Sequence, residues 1–318
     1  MTLEENITAA LESGRQKADE ILALRAVAQS RRADALQKNH KKMALRVQLA
    51  APGGPQTSAE FQTAGFLAAA GDSWFDYPFH DVLKLLEDHH GYDVESTAHK
   101  GDPIEKMAYT GGQLEDFARK LEKIKARGAV PKAVLVSGGG DDVAGNEFGM
   151  LLNNAFSPIA GWDSEVVDGV LNQRILTAYS QLLMSITGLC QGTFGVTVPI
   201  LMHGYDYPVP DGRGFFGGWP FPGPWLEPGF REKNFEDLER RIAMMQVLMD
   251  QFNDVVKLLP SQPAFAHVRL IAENGDSNLA ELEIPCDRHH QKRVAQCGRE
   301  NQCNARNLPD WLPHTAPT

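Results

Sequence analysis

Between residues 60 and 272 the chain alternates short apolar runs with longer segments in which apolar residues recur at helical spacing. The short runs are rich in small or β-branched residues and are bounded by turn residues, so they predict strands. They are Gly65–Ala70, Tyr92–Thr97, Lys132–Ser137, Phe194–Met202 and Ala266–Ile271. The helical segments between them are Val82–His89, Ile104–Gly128, Glu165–Leu189 and Phe235–Leu259. This alternation predicts βαβ units, a parallel sheet and helices on both of its faces.

A long helical pattern precedes this region. Apolar residues recur at helical spacing over residues 3–48, and Thr2 with Glu5 forms a candidate capping box. We expect one or two helices in an N-terminal extension, residues 1–50, followed by a Gly- and Pro-rich linker at residues 51–59. A solvated helix packed on the main domain is the interpretation that we favour. An arm for self-association with another chain is the alternative.

Composition narrows the class of protein. The 318 residues are 42% hydrophobic and 23% charged, which is typical of a globular protein and excludes collagen, a disulfide scaffold and a wholly disordered chain. The net charge of −10 argues against a nucleic-acid partner, because an acidic surface repels phosphates. We expect no membrane span, since the sequence lacks a run of about 18 uncharged apolar residues. Four cysteines and an N-terminus without a secretory pattern predict a cytoplasmic location.

Chemically useful groups follow the first two predicted strands. Asp72 and Ser73 come directly after the first strand, and Gly101 follows the second. Because the carboxyl ends of parallel strands lie along one edge of a sheet, we expect these residues to share that edge. A serine hydroxyl beside free backbone N–H groups is suited to nucleophilic catalysis with a stabilised oxyanion. Taken alone, Asp72 and Ser73 are equally compatible with a helix cap, and Gly101 by itself is more typical of a simple turn.

Three glycines and two aspartates follow the third predicted strand, at residues 138–140, Asp141 and Asp142. Their spacing lacks the third glycine of a dinucleotide fingerprint and the Lys-Ser/Thr ending of a phosphate-binding loop. The two aspartates together with Asp72 leave a metal-dependent phosphoesterase open as an alternative. No histidine or glutamate completes a familiar ligand set, so we expect neither a metal nor a cofactor here.

Taken in order, these three strand ends resemble the conserved blocks of the SGNH/GDSL hydrolase superfamily. Gly-Asp-Ser at residues 71–73 matches the first block, Gly101 the second, and Gly-Gly-Asp-Asp at residues 139–142 the third. We therefore assign residues 60–272 to an α/β domain of this kind. The resemblance implies a three-layer α/β/α, flavodoxin-like fold with a five-stranded parallel sheet.

The same resemblance implies an active site. Ser73 would be the nucleophile, and the oxyanion hole would consist of the Ser73 N–H, the Gly101 N–H and the side chain of Asp141. The family carries Asn where this chain has Asp141, and an ionised carboxylate cannot donate a hydrogen bond. Either Asp141 is held protonated or that donor is lost, at a cost of about 3–4 kcal/mol of transition-state stabilisation.

The segment after the fourth predicted strand, residues 204–230, is dense in Gly, Pro and aromatic residues. Proline restricts the backbone and glycine permits tight turns, so this composition predicts an ordered loop. We expect it to form a lid or acyl-binding wall that uses Phe215, Phe216, Trp219 and Trp225. Stacking of these rings on a sugar, or a loop that only covers the sheet edge, are the alternatives.

A serine nucleophile needs a histidine base that a third group orients. The superfamily takes both from an Asp-x-x-His block after the fifth strand. Asp287 and His290 have this spacing, and Asp310 with His314 is a second pair with one residue too many. We expect His203, at the end of the fourth strand, to be a hydrogen-bonded strand-end residue and not the base.

The last part of the chain, residues 273–318, departs from the preceding pattern. It is polar, holds three of the four cysteines and shows little apolar periodicity. A zinc cluster is a further interpretation of this tail, although paired Cys-x-x-Cys units are missing. Its members would be Cys286, His289, His290, Cys297 and Cys303. The loss of pattern also raises the hypothesis that the tail is not the family's own ending, for instance through a reading-frame change.

We therefore expect a serine-dependent carboxylic ester hydrolase, a GDSL-type esterase or lipase, that acts on small or short-acyl esters through an acyl-enzyme. The expected partner is a small-molecule ester, and the chemistry needs no cofactor. Two alternatives stay open: a catalytically impaired carbohydrate- or protein-binding module on the same fold, and a metal-dependent phosphoesterase.

Overall fold

The structure is a computed structural model that describes residues 2–47, 63–77, 81–110, 112–144, 148–214 and 223–271. Its strands are β1 (Gly65–Ala70), β2 (Tyr92–Ser96), β3 (Ala133–Val136), β4 (Leu152–Asn153), β5 (Gly161–Trp162), β6 (Ile200–His203) and β7 (Val268–Ile271). Its α-helices are α1 (Leu3–Val47), α2 (Val82–His90), α3 (Ile104–Tyr109), α4 (Gly112–Ala126), α5 (Gly140–Val143), α6 (Ser164–Asp168), α7 (Leu176–Phe194), α8 (Glu227–Glu232) and α9 (Leu238–Lys257). Within these ranges, no helix combines the length and apolar character needed to cross a membrane.

The centre of the fold is a parallel five-stranded sheet with the order β2-β1-β3-β6-β7 and helices on both faces. The predicted α/β fold with a five-stranded parallel sheet is therefore confirmed. β3 is buried along its whole length and β1 along its last four residues, because strands covered on both faces need continuous apolar runs. The register pairs Ala69 with Ser96 and Ala70 with Val136, so β1, β2 and β3 end at one edge.

Most local boundaries differ from the prediction by one to three residues, and the differences are larger at two helices and one strand. The helix expected over residues 104–128 is two helices, because α3 ends at Tyr109 and α4 begins at Gly112. The sequence has a Gly-Gly pair between them, and glycine lowers helix propensity. The helix expected over residues 165–189 is α6, a π-helical segment at Gly169–Ile175, and α7. It continues to Phe194 and ends where Gly195 adopts a left-handed φ of 75°. The fourth predicted strand therefore begins at Ile200 and not at Phe194.

The N-terminal extension forms one helix, α1, whose first half packs on α7. Ala10, Ala18 and Ile21 are buried there, and small residues let the two helices approach closely. A Cβ atom added at Gly188 of α7 would lie 2.6 Å from the Cβ of Ala18. This confirms a helix packed on the main domain. Self-association through the N-terminal helix is not supported, because its buried face is occupied by the same chain.

An ion pair joins α1 to α4, beyond the seam that α1 forms with α7. Arg25 Nε and Nη2 donate to the two carboxylate oxygens of Glu122 at 2.7 and 2.6 Å. Burial raises the pKa of Glu122, but the hydrogen bond and charge of Arg25 outweigh this effect and lower the pKa overall. The two parallel hydrogen bonds hold α1 against α4 and also fix the orientation of α1 about its own axis.

The chain divides into two compact units. The first is drawn from Met1–Asp142, Gly169–His203 and Val255–Ile271 and contains the five-stranded sheet. The second includes Val143–Asp168 and Gly204–Asp254.

The second unit has an aromatic core of its own. Phe148 makes edge-to-face contacts with Trp162 and Phe230, with ring centroids 5.7 and 5.0 Å apart. Trp162 Nε1 donates to the Met244 carbonyl at 3.1 Å, so the indole is held in place. α8 begins at Glu227, inside the segment expected to be a loop over residues 204–230, and fully buried Phe230 belongs to the core. The last four residues of that predicted loop, 227–230, therefore belong to a helix, and Phe230 is part of the buried core.

Candidate active site

Ser73 opens a short 3₁₀ helix, Ser73–Phe75, directly after β1. Asp72 caps this turn: its carboxylate accepts a hydrogen bond from the Trp74 N–H at 3.1 Å. Asp72 itself is almost completely buried, whereas Ser73 is half-buried. The two neighbouring residues thus differ, because Asp72 is a buried cap and Ser73 is partly exposed.

A second serine holds the Asp72 carboxylate in place. Ser137 Oγ, at the end of β3, donates to Asp72 Oδ1 at 2.6 Å and accepts from the Asp72 N–H at 3.2 Å. Gly71 has to be glycine at this point, because a Cβ atom there would clash with Ser137 Oγ. Sequence reasoning missed Ser137, whose only signal is a polar residue at the end of an otherwise apolar strand.

The loop after β2 is tied to the same turn. His99 N–H donates to the Gly71 carbonyl at 2.9 Å, and Gln113 Nε2 of α4 reaches that carbonyl at 3.4 Å. Gln113 Nε2 also lies 3.2 Å from Asp102 Oδ2. Sequence reasoning also missed Gln113, because a polar residue in the first turn of an amphipathic helix is ordinarily solvent-exposed.

The two other residues of the predicted oxyanion hole contact each other. Gly101 has a left-handed φ of 78°, and its backbone N–H donates a hydrogen bond to the Asp141 carboxylate. Gly101 follows β2 and Asp141 follows β3, the two strands that flank β1. Asp141 Oδ2 is buried and has no hydrogen-bond partner among the described residues.

The pKa of the Asp141 carboxyl group lies well above that of an ordinary aspartate. Burial raises its pKa to about 6, and the charges of Asp72 and Asp102 contribute, while the Gly101 hydrogen bond opposes the shift. The side chain is therefore mostly ionised above pH 6 and mostly protonated below it. Only the protonated form has a hydrogen to donate.

Asp142 has a structural role at the start of α3. Its Oδ2 accepts a hydrogen bond from the Ile104 N–H at 2.7 Å. Burial raises its pKa to about 6, although the hydrogen bonds from Ile104 and Glu105 oppose the shift. Among the described residues, no group of three or more His, Cys, Asp and Glu side chains is arranged to hold a metal ion.

One described imidazole lies against the turn that carries Ser73. His203, at the end of β6, makes an edge-to-face contact with Trp74, with ring centroids 5.6 Å apart, and packs on Phe75 at 6.0 Å. The predicted base pairs and most of the predicted aromatic wall lie outside the described residues: Asp287, His290, Asp310, His314, Phe215, Phe216 and Trp219. Trp225 is described, and 48% of its surface is exposed.

No protein-family model and no curated protein matches this chain. Among solved structures, similarity is found to variants of Axe2 from Geobacillus stearothermophilus, described as an acetyl xylan esterase or acetyl-xylooligosaccharide esterase. Two of them have 14% and 15% identity with TM-scores of 0.25, and a catalytic mutant has 15% identity with a TM-score of 0.23. Each match covers 66% of this chain and 89% of the other. A likeness this distant assigns neither a family nor an activity to the chain.

Proposed function

We propose that the protein is a serine-dependent carboxylic ester hydrolase of the GDSL type that acts on small or short-acyl esters. The observation that carries this proposal is the position of Ser73. Ser73 is half-buried and opens a turn at the end of β1, and the Gly101 N–H and the Asp141 side chain meet after the two flanking strands. A nucleophile beside groups that stabilise an oxyanion is the arrangement that acyl transfer requires.

The proposed reaction has two steps. Ser73 Oγ attacks the ester carbonyl while a histidine accepts its proton, and the histidine then protonates the leaving alcohol as the C–O bond breaks. Water attacks the acyl-enzyme with the same histidine as base, which releases the carboxylic acid and restores the Ser73 hydroxyl. No oxidant, reductant or cofactor enters this balance.

Oxyanion stabilisation depends on the protonation state of Asp141. While Asp141 is ionised, it accepts the Gly101 N–H and places a negative charge where the oxyanion would develop. Once protonated, it becomes a donor itself, and its hold on the Gly101 N–H weakens because the carboxylate charge is gone. Loss of a single oxyanion donor costs about 3–4 kcal/mol, so the proposed activity is greater with Asp141 protonated.

For the base we propose His290 oriented by Asp287, ahead of His314 with Asp310. Phe215, Phe216, Trp219 and Trp225 are the proposed acyl-binding residues. Both assignments rest on sequence spacing and composition.

Reaction of the protein with a fluorophosphonate probe and turnover of p-nitrophenyl acetate test the nucleophile. We expect stoichiometric labelling and measurable turnover in the wild-type protein, and neither in Ser73→Ala. Ser137→Ala is not a suitable substitute for this test, because Ser137 supports Asp72. Turnover retained by Ser73→Ala would contradict the assignment.

A catalytically impaired binding module on the same fold is the second candidate. The ionised state of Asp141 at neutral pH favours it, because the Gly101 N–H is then engaged and one donor is absent. The same fluorophosphonate experiment separates the two proposals, since a serine without an activating base does not react. Absence of labelling at both pH 5 and pH 8 would favour the binding module.

A further inference from the structure

A cavity of about 570 Å³ lies between the carboxyl end of β2 and the face of α4. Its volume is in the range of small-molecule sites. The wall comprises residues 96–99, Asp102 and side chains of α3 and α4, all within the first compact unit. Nothing in the reaction proposed above uses this space.

The wall carries more positive than negative charge, in a chain whose net charge is −10. Its charged members, besides His99, are Lys106, Arg119, Lys120, Lys123, Asp102 and Asp116. Four cations against two carboxylates leave a formal excess of two positive charges. A concave surface concentrates such a field, so the cavity attracts anions although the molecule as a whole repels them.

A single carboxylate behind the wall, that of Glu95, partly neutralises this positive excess. Glu95 Oε2 lies 3.2 Å from Lys120 Nζ and 3.7 Å from Lys123 Nζ, and Glu95 Oε1 lies 3.1 Å from Arg127 Nη2. Three cations thus share one nearly buried acid. Lys120 is itself only 28% exposed, so part of its charge is removed from water and is poorly screened.

The cavity is connected to the candidate active site through shared residues. His99 and Gln113 belong to its wall, and both donate to the carbonyl of Gly71, two residues before Ser73. Asp102, also in the wall, follows Gly101, and its Oδ1 accepts a hydrogen bond from Lys106 Nζ at 2.7 Å. Two residues of the wall are therefore hydrogen-bonded to the backbone that leads to Ser73, and a third follows Gly101 in the chain.

We propose that this cavity binds an anionic group of the ester substrate, so that the substrate is a small polar ester that also carries a carboxylate, phosphate or sulfate. This inference rests on the proposed esterase function. Lysine and arginine side chains recognise such groups through charge-assisted hydrogen bonds.

Calorimetric titration with compounds that are not esters tests the site independently of catalysis. We expect the wild-type protein to bind inorganic phosphate and glucuronate but not glucose, which matches glucuronate in size without its charge. Lys120→Gln/Lys123→Gln should weaken anion binding about tenfold or more, because two charge-assisted contacts are lost. Glu95→Gln should strengthen it, because the shared carboxylate charge is removed.

Lys132→Gln is the matched control, since Lys132 precedes β3 at the opposite end of the strands and lies outside the cavity wall. It should leave the Kd of both anions unchanged, and circular dichroism of all variants should match the wild type. If neither anion binds, or if the double variant binds them as tightly as the wild type, the anion site is wrong.

Turnover measurements test whether the anion bound in the cavity is part of the ester substrate. We expect the double variant to lower kcat/KM for an acetylated glucuronate about tenfold and to leave an acetylated glucose unaffected. Equal loss on both esters would overturn the substrate assignment. Failure of the esterase proposal is distinguishable, because the wild type would then turn over neither ester, or Ser73→Ala would retain turnover, while phosphate binding to the cavity stayed intact.

Discussion

The Gly101 N–H donates to the Asp141 carboxylate across the end of β1, the strand that leads to Ser73. The hydrogen bond therefore occupies one proposed oxyanion donor, the Gly101 N–H, and its acceptor is the side chain proposed as another donor, Asp141. Because the Asp141 pKa is about 6, the pair changes state within the pH range in which esterases are ordinarily assayed.

The first prediction concerns the pH dependence of turnover. At pH 8, about 1% of Asp141 is protonated, so Asp141→Asn should raise kcat/KM up to about 100-fold there. At pH 5 the variant and the wild type should agree within about twofold, because both then present a donor. Initial rates on p-nitrophenyl acetate between pH 4.5 and 9 measure this. The wild-type profile should be bell-shaped, and that of the variant should rise with pH to a plateau set by the base.

Asp19→Asn is the control for that experiment, because Asp19 is an exposed carboxylate on α1 and lies outside the cavity wall. Its pH profile should match that of the wild type. An Asp141→Asn profile that also matches the wild type would mean that Asp141 takes no part in the reaction.

The second prediction concerns stability. Since folding raises the pKa of Asp141, the folded state binds more protons than the unfolded state between about pH 4 and pH 6. Its contribution to stability is therefore fully present at low pH and is lost as the pH rises through 6. Asp141→Asn should raise the free energy of unfolding at pH 8 by about 1–3 kcal/mol and should change it little at pH 3.5. Urea denaturation at the two pH values measures the difference, and an equal gain at both would contradict this origin.

The third prediction concerns the support beneath the nucleophile. Ser137→Ala removes the donor to Asp72 Oδ1 and leaves a buried carboxylate with one partner fewer, which should cost about 1–3 kcal/mol of folding free energy. We also expect kcat to fall, because Asp72 caps the turn that carries Ser73. Ser261→Ala, at an exposed hydroxyl, is the control and should change the free energy of unfolding by less than about 0.5 kcal/mol. Wild-type stability in Ser137→Ala would show that the 2.6 Å hydrogen bond does not stabilise the fold.

The fourth prediction concerns the seam between α1 and α7. Gly188→Ala places a methyl group 2.6 Å from the Cβ of Ala18, so the helices must separate and the variant should lose about 1–3 kcal/mol. Gly169→Ala offers a contrast, since a Cβ atom there meets nothing within 4 Å. Thermal unfolding compares the two. Equal melting temperatures for both variants would mean that close packing of α1 does not contribute to stability.

The fifth prediction identifies the base. Alanine variants of His290, His314 and His203 should differ, and the variant that lacks the base should lose a factor of about 10²–10⁴ in kcat. We expect this loss in His290→Ala. A comparable loss in His203→Ala alone would transfer the role to the imidazole that packs against Trp74 and Phe75.

Several features of the fold were predictable from sequence because they depend on local patterns. The six-residue run Gly65–Ala70 is the strand β1 without any change of boundary, since a strand buried on both faces must be continuously apolar. The break between α3 and α4 was missed, because helical spacing continues across the Gly-Gly pair. The small β4–β5 hairpin was missed as well, since two-residue strands have no periodicity to detect.

The sequence by itself determined that Ser73, Gly101 and Asp141 follow β1, β2 and β3, because residues after parallel strands share one sheet edge. Only the tertiary structure decided which groups at that edge bond to one another. The pairing of Asp72 with Ser137, of Gly71 with Gln113 and of Gly101 with Asp141 depends on strand order, on register and on the paths of loops far apart in the chain. Apolar periodicity is a local property of a segment, whereas the burial and the neighbouring charges that set the Asp141 pKa exist only once those segments have packed together.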